Sequence, residues 1–194
     1  MAQQQWQRHL RLATVSQDPD RDHSGNRHPN HRAILGDVDT RVDPTKPAPF
    51  FDQVWYDVDS VNGVFTATWD QVGYYREHTD PTNSFQLQLI SLGNGDFDIV
   101  FRYQSIGWTT GDASEGKDGL GGLVARAGYS ADTGKSTDFF ELPQSGNQDA
   151  MLGLPSASNR GIPGVFVFNV ANAVFRGGET GPQRYVSGRL SLSP

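Results

Sequence analysis

Ser84-Phe-Gln-Leu-Gln-Leu-Ile90 and Phe97-Asp-Ile-Val-Phe-Arg-Tyr103, joined by Ser91-Leu-Gly-Asn-Gly-Asp96, decide the fold. In the first run Phe85, Leu87 and Leu89 fall on one side of an extended chain, and Gln86 and Gln88 on the other. In the second, Phe97, Ile99, Phe101 and Tyr103 share a side. A period of two is the signature of a strand with one buried face. Asn94-Gly95 suits the positive φ of a tight hairpin turn. The two runs therefore read as an antiparallel hairpin.

The same grammar extends in both directions. Val64-Phe-Thr-Ala-Thr-Trp69 is β-branched and aromatic, and weaker strands are predicted at Val54–Val58, Leu123–Tyr129, Asp138–Leu142 and Gly164–Val170. No long helical period occurs, and only a short helix is expected, near Gln148–Leu152. Short strands spaced by turn signals predict an all-β chain, an antiparallel β-sandwich with few short helices and long loops.

Composition bounds the rest. The chain has 194 residues, with 36% hydrophobic and 20% charged residues, 22 glycines and 11 prolines. This suffices for one domain with loose ends. A net charge of −6 argues against nucleic acid, which asks for a basic face. There is no cysteine, hence no disulfide and no thiolate chemistry. No apolar run approaches the roughly 18 residues of a membrane span.

The first 35 residues differ from the rest. They hold four of the five histidines (His9, His23, His28 and His31) but a single aromatic, Trp6, and carry net +2 against −8 for the remainder. No sustained period runs through them, and they read as a disordered leader. Residues 36–170 carry the strand pattern, and 171–194 read as a polar C-terminal tail.

Catalytic patterns are weak. Beyond residue 35 the sole histidine is His78, in Arg76-Glu-His-Thr-Asp-Pro81, and no G-x-S-x-G elbow is present. His78 reads as a surface loop residue. Gly111-Asp-Ala-Ser-Glu-Gly-Lys-Asp-Gly-Leu-Gly-Gly122 lacks the Ser/Thr that must follow a P-loop lysine, since Asp118 follows Lys117. It reads as a long surface loop. The doublets Asp37-Val-Asp39 and Asp57-Val-Asp59 each put two carboxylates on one face of extended chain. Paired carboxylates repel unless a cation or donors stand by, and hard oxygen ligands suit Ca²⁺. Asp37, Asp39, Asp57 and Asp59 are therefore the calcium candidates, against a reading as turn caps or solvated groups.

Several blocks, in order, resemble the NIDO (nidogen-like) domain in its bacterial form. They are Gly36-Asp-Val-Asp-Thr-Arg41, Trp69-Asp-Gln-Val-Gly-Tyr-Tyr75, Asn83-Ser-Phe-Gln-Leu-Gln-Leu-Ile90, Gly95-Asp-Phe-Asp-Ile-Val-Phe101 and Ile106-Gly-Trp-Thr-Thr-Gly-Asp-Ala-Ser114. Ala125-Arg-Ala-Gly-Tyr-Ser130, Phe140-Glu-Leu-Pro-Gln-Ser-Gly146 and Gly161-Ile-Pro-Gly-Val-Phe-Val-Phe168 follow. The resemblance implies a secreted or surface β module acting without catalysis in cell–matrix adhesion. Its partner would be an extracellular matrix or cell-surface protein or a glycan. It defines no catalytic residues. Trp69, Phe85, Phe101 and Trp108 are expected in the core, and partner contacts from Glu77–Asn83 and Thr109–Leu123. A calcium-stabilised carbohydrate-binding module, using exposed Trp and Tyr such as Trp108 and Tyr129, is the alternative. A hydrolase with paired acids ranks third.

The opening strand of the resembled domain, "NNNGNVTF", and the "APF" before its aspartates are missing. Shifting the back-translated codons of residues 1–35 forward by one nucleotide permits both. Gln3–Leu10 then allow Asn-Asn-Asn-Gly-Asn-Val-Thr-Phe, and His28–Leu35 allow Ile-Pro-Ile-Ile-Ala-Pro-Phe. The expectation is that residues 1–35 are translated out of frame, leaving a domain without its first strands. A signal segment would then lie upstream in the other frame.

Overall fold

The structure, a computed structural model, describes residues 38–41, 53–130 and 139–170. The expectations placed on residues 1–35, on Asp37 and on the 171–194 tail lie outside the described residues. The chain is all-β, as read from its sequence, with antiparallel sheets and very few short helices. The strands are β1 Val38–Asp39, β2 Gln53–Asp59, β3 Val64–Tyr74, β4 His78–Gly93, β5 Asp96–Ile106, β6 Gly128–Ser130, β7 Phe139–Glu141 and β8 Val165–Val170. A six-stranded sheet runs β1-β3-β4-β5-β8, with β2 also on β3, and β6 and β7 form a second, two-stranded sheet.

The central hairpin is the β4–β5 pair. Leu87 faces Phe101, Leu89 faces Ile99, and Gly93 closes on Asp96 around Asn94 and Gly95, both at positive φ. One face of the large sheet buries Phe85, Leu87, Leu89, Ile99, Phe101, Tyr103, Phe166 and Phe168. The covering layer brings Ala127, Leu142, Met151 and Leu154, with Tyr129 and Phe140 packed against them. Tyr129, Phe140 and Phe168 form a ring cluster with centroids 4.9–5.4 Å apart, within the range favoured for aromatic pairs. The expected helix is α1, Gln148–Leu152. The Asn147 side chain accepts from the Ala150 N–H, the usual N-cap bond.

The opposite face is mixed. Thr66, Thr68, Gln86, Gln88 and Arg102 form a hydrogen-bonded ladder: Gln86 donates to Thr68, Gln88 to Thr66, and Arg102 to Gln88. Next to it Val100, Val165 and Val167 are buried with Ile90 beside them.

β3 changes phase at a bulge. Phe65, Ala67 and Trp69 point toward the core side, then the register slips between Trp69 and Val72. Gln71 takes φ 49° and donates its N–H to the Ser84 hydroxyl. The extra residue turns Val72 and Tyr74 inward, as bulges commonly re-aim side chains. Phe85, Phe101 and Trp108 are buried as expected, while Trp69 is only partly buried and stacks on Phe85 at 4.8 Å. The strand expected at Leu123–Tyr129 is shorter, because Ala125 donates its N–H to Thr109 across a loop. Among the described residues no helix is long and apolar enough to cross a membrane.

Candidate interaction surface

At one end of the sheet the β3–β4 turn, the short strand β1 and the 107–125 loop meet. Asp39 organises the first contact. Paired opposite Gly73 of β3, it is only 6% exposed. Its carboxylate accepts from Arg41 Nε at 2.8 Å, from the Arg41 N–H at 3.1 Å and from the Glu77 N–H at 3.1 Å. The Arg41 guanidinium holds the Asp39 carboxyl below its ordinary range, against the opposing effect of burial. Arg41 and Arg76 both lie over the Tyr75 ring, at 5.8 and 5.7 Å.

The second contact is His78 to Asp112. His78 Nε2 lies 3.0 Å from Asp112 Oδ2, and its ring stacks on Tyr74 at 4.5 Å. Among the described residues its ring hydrogen-bonds Asp112 alone, with no serine hydroxyl on it. His78 opens a strand rather than sitting in a free loop, and its partner lies 34 residues away, beyond the reach of any local pattern. The Asp112 N–H also donates to the Tyr75 carbonyl.

The third is a lock between Asn83 and Trp108. Asn83 Oδ1 accepts the Gly107 and Trp108 N–H groups, and Nδ2 donates to the Trp108 carbonyl. Trp108 Nε1 donates to the Val72 carbonyl at 3.0 Å. The indole packs on Tyr74 and is 1% exposed. Gly119 passes behind it at φ +80°, where an added Cβ would lie 2.7 Å from the Trp108 Cβ. The Thr109 and Thr110 N–H groups both reach the Gly119 carbonyl. The two segments expected to make partner contacts are thus joined into one surface. Its exposed side chains include Arg76, Asp80, Glu115, Lys117 and Leu123.

Of the aspartate candidates, Asp39 is not brought to Asp57 and Asp59. Asp39 faces Gly73 of β3, whereas Asp57 faces Thr66, roughly 23 Å away at a strand rise of about 3.3 Å per residue. Asp57 is exposed on β2. Asp59 caps its own turn, accepting from the Val61 and Asn62 N–H groups and from Asn62 Nδ2 at 2.6 Å. The bonds from Asn62 keep its carboxyl below the usual range. Among the described residues no three His, Cys, Asp or Glu side chains gather where they could hold a metal ion. Trp108 and Tyr129, expected to be exposed if the module bound sugars, are buried and half-buried, because both complete the core.

A family model described as "NIDO: Nidogen-like domain" matches residues 51–172. Alpha-tectorin of Gallus gallus is 40% identical over 114 residues, 57% of this chain and 5% of that protein. The alpha-tectorins of Mus musculus and Homo sapiens give the same identity and coverage. Nidogen of Drosophila melanogaster is 35% identical over 109 residues, 56% of this chain and 8% of that protein. The chain therefore spans less than a tenth of the length of these curated relatives. All four are animal proteins, so the comparisons give no support to the bacterial form of the module. No solved structure matches.

Proposed function

The chain belongs to the nidogen-like domain family, and on that premise we propose that it is a non-enzymatic extracellular module for matrix adhesion or surface interaction. The observation that carries this reading is that, among the described residues, the buried aspartate Asp39 and the histidine His78 are both committed to the fold. The Asp39 carboxylate is taken up by Arg41 and the Glu77 N–H, and His78 by Asp112 and Tyr74. What these bonds produce is a braced loop surface on a rigid sheet, the usual setting for recognition. Similarity to alpha-tectorin and nidogen supports an extracellular setting and a matrix or cell-surface partner.

The test is solid-phase binding of the full chain to decellularised matrix. Wild-type protein should bind saturably. Arg76→Glu and Lys117→Glu, both on exposed side chains, should weaken binding by about tenfold together. The melting temperature should be unchanged in Lys117→Glu and lowered only slightly in Arg76→Glu, by loss of the Tyr75 contact. Absence of wild-type binding to matrix or cell surfaces would overturn the proposal. Among the described residues the glycan-binding alternative has one exposed indole, Trp55, next to exposed Asp57. Calcium in that reading would sit at Asp37 and Asp39 or at Asp57 and Asp59. It would have to draw Asp39 from Arg41 or Asp59 from Asn62. A rise in melting temperature at millimolar calcium, abolished by Asp59→Asn or Asp39→Asn, would favour it. A flat response would remove the metal.

A further inference from the structure

The outer edge of β2 carries an apolar surface that no other described part of the fold covers. Val54, Trp55, Tyr56 and Val58 are 47%, 58%, 78% and 46% exposed. β2 pairs with β3 along its whole length, Gln53 with Asp70 through Asp59 with Val64, and among the described residues it has no strand on its other side. Val54, Tyr56 and Val58 lie opposite Trp69, Ala67 and Phe65, so they continue the core side of the sheet beyond its last covered strand. A seven-residue strand whose outward backbone groups meet no other described strand, with apolar side chains beside them, is a template for another strand.

We propose that this edge is a homodimer interface in which β2 pairs antiparallel with β2 of a second copy about a two-fold axis at Tyr56. The charges of the strand select the occupant and the register. With the axis at Tyr56, Val54 opposes Val58 of the second copy, Trp55 opposes Asp57, and Gln53 opposes Asp59. Tyr56 meets its own counterpart. All seven residues pair and no two carboxylates face each other. Moving the axis by one residue to Asp57 sets Asp57 against Asp57. Moving it to Val58 sets Asp57 against Asp59. Directly opposed like charges destabilise a strand pair. Moving the axis to Trp55 avoids the clash but shortens the ladder. The strand is thus complementary to itself in one full-length register. The paired copies would form one continuous sheet with the apolar stripe Val54, Tyr56 and Val58 running across the junction, an isologous contact that closes after two copies.

Sedimentation velocity of the full chain from about 1 μM to about 500 μM tests this, a span that covers weak to moderate edge association. The expected result is a monomer–dimer equilibrium. Tyr56→Lys should weaken the dimer by about tenfold or more with an unchanged circular dichroism spectrum. Val61→Lys, at an exposed turn position outside the ladder, should dimerise as wild type does. Register is read by cysteine, since the chain has none of its own. Tyr56→Cys should cross-link to itself on oxidation in the dimer range, and Val61→Cys should not. A wild type monomeric throughout, a dimer insensitive to Tyr56→Lys, or equal cross-linking at both positions would overturn the proposal.

Discussion

The Asn83 side chain clamps the backbone of Trp108 from both sides, accepting the Trp108 N–H at 3.0 Å and donating to the Trp108 carbonyl at 3.0 Å. With the Gly107 N–H as a third partner, one buried amide fixes how the 107–125 loop leaves β5. Asn83→Ala would strand the Trp108 N–H and the Trp108 carbonyl, while the Gly107 N–H keeps the Thr82 carbonyl at 3.2 Å. Unsatisfied buried groups cost about 1–3 kcal/mol each, partly recovered by water. The expected loss is about 3 kcal/mol by urea denaturation. A loss under about 1 kcal/mol would show that the clamp is dispensable.

Asp39 predicts a pH signature. Arg41 holds its carboxyl below the ordinary value of 3.8, so folding favours the charged form. That contribution is fully present above the unfolded pKa and is lost as pH falls through the lower, folded value. Asp39→Asn should therefore destabilise the protein at pH 7, by about 1–3 kcal/mol for a buried hydrogen-bonded carboxylate. The gap between variant and wild type should narrow below about pH 4. Melting curves collected from neutral to strongly acid pH would show it, and a gap constant across that span would refute the assignment.

Phe101 packs between Tyr103 and Phe168, at 6.4 and 5.6 Å, in the middle of the core face. Phe101→Ala should cost about 3–5 kcal/mol, the range for large aromatic deletions in a packed core. A well-folded variant within about 1.5 kcal/mol of wild type would mean that this layer is not the core.

Gly73 tests the close approach of β3 to the start of β4. A Cβ there would fall 1.7 Å from the His78 carbonyl oxygen. Backbone on both sides leaves no flexible group to yield, so Gly73→Ala should force the turn open and cost about 3 kcal/mol or more. Loss of the His78–Asp112 contact should accompany it, seen as a changed histidine signal in NMR spectra. An alanine variant with wild-type stability and spectrum would show that the turn adapts.

The central hairpin is legible in the sequence because alternation and an Asn-Gly turn are local signals, and Phe85 through Tyr103 fall where they predict. β4, however, starts at His78, well before the alternating run, and Asp80-Pro81 and the polar residues around it hide that extension. β2 reads from its apolar content as a sheet strand and is one, yet its side chains are exposed, because composition does not reveal which strand ends at an edge. The candidate surface is largely hidden in the sequence. Asp39 and Arg41 are neighbours in sequence and could be singled out, but Glu77, Asp112 and Trp108 come to Asp39, His78 and Asn83 from 25 to 38 residues away. Such long-range hydrogen bonds leave no periodic trace. Asp39 reads in the sequence as a hard oxygen ligand, while the cation that it meets, Arg41, stands two positions further along.

The bulge at Gln71 makes β3 a strand of two parities, odd-numbered side chains toward the core before it and even-numbered ones after it. Ironing the bulge out with Gln71 kept in the ladder would leave Phe65 to Trp69 seated but rotate Val72 and Tyr74 out into water, pulling the Trp108 indole from its carbonyl acceptor. Deleting Gln71, in contrast, would leave a regular strand with Val72 still facing inward. The reading frame of the backbone, no less than that of a gene, is set here by how one inserted unit is accommodated, and the seating of Val72, Tyr74 and Trp108 follows from it.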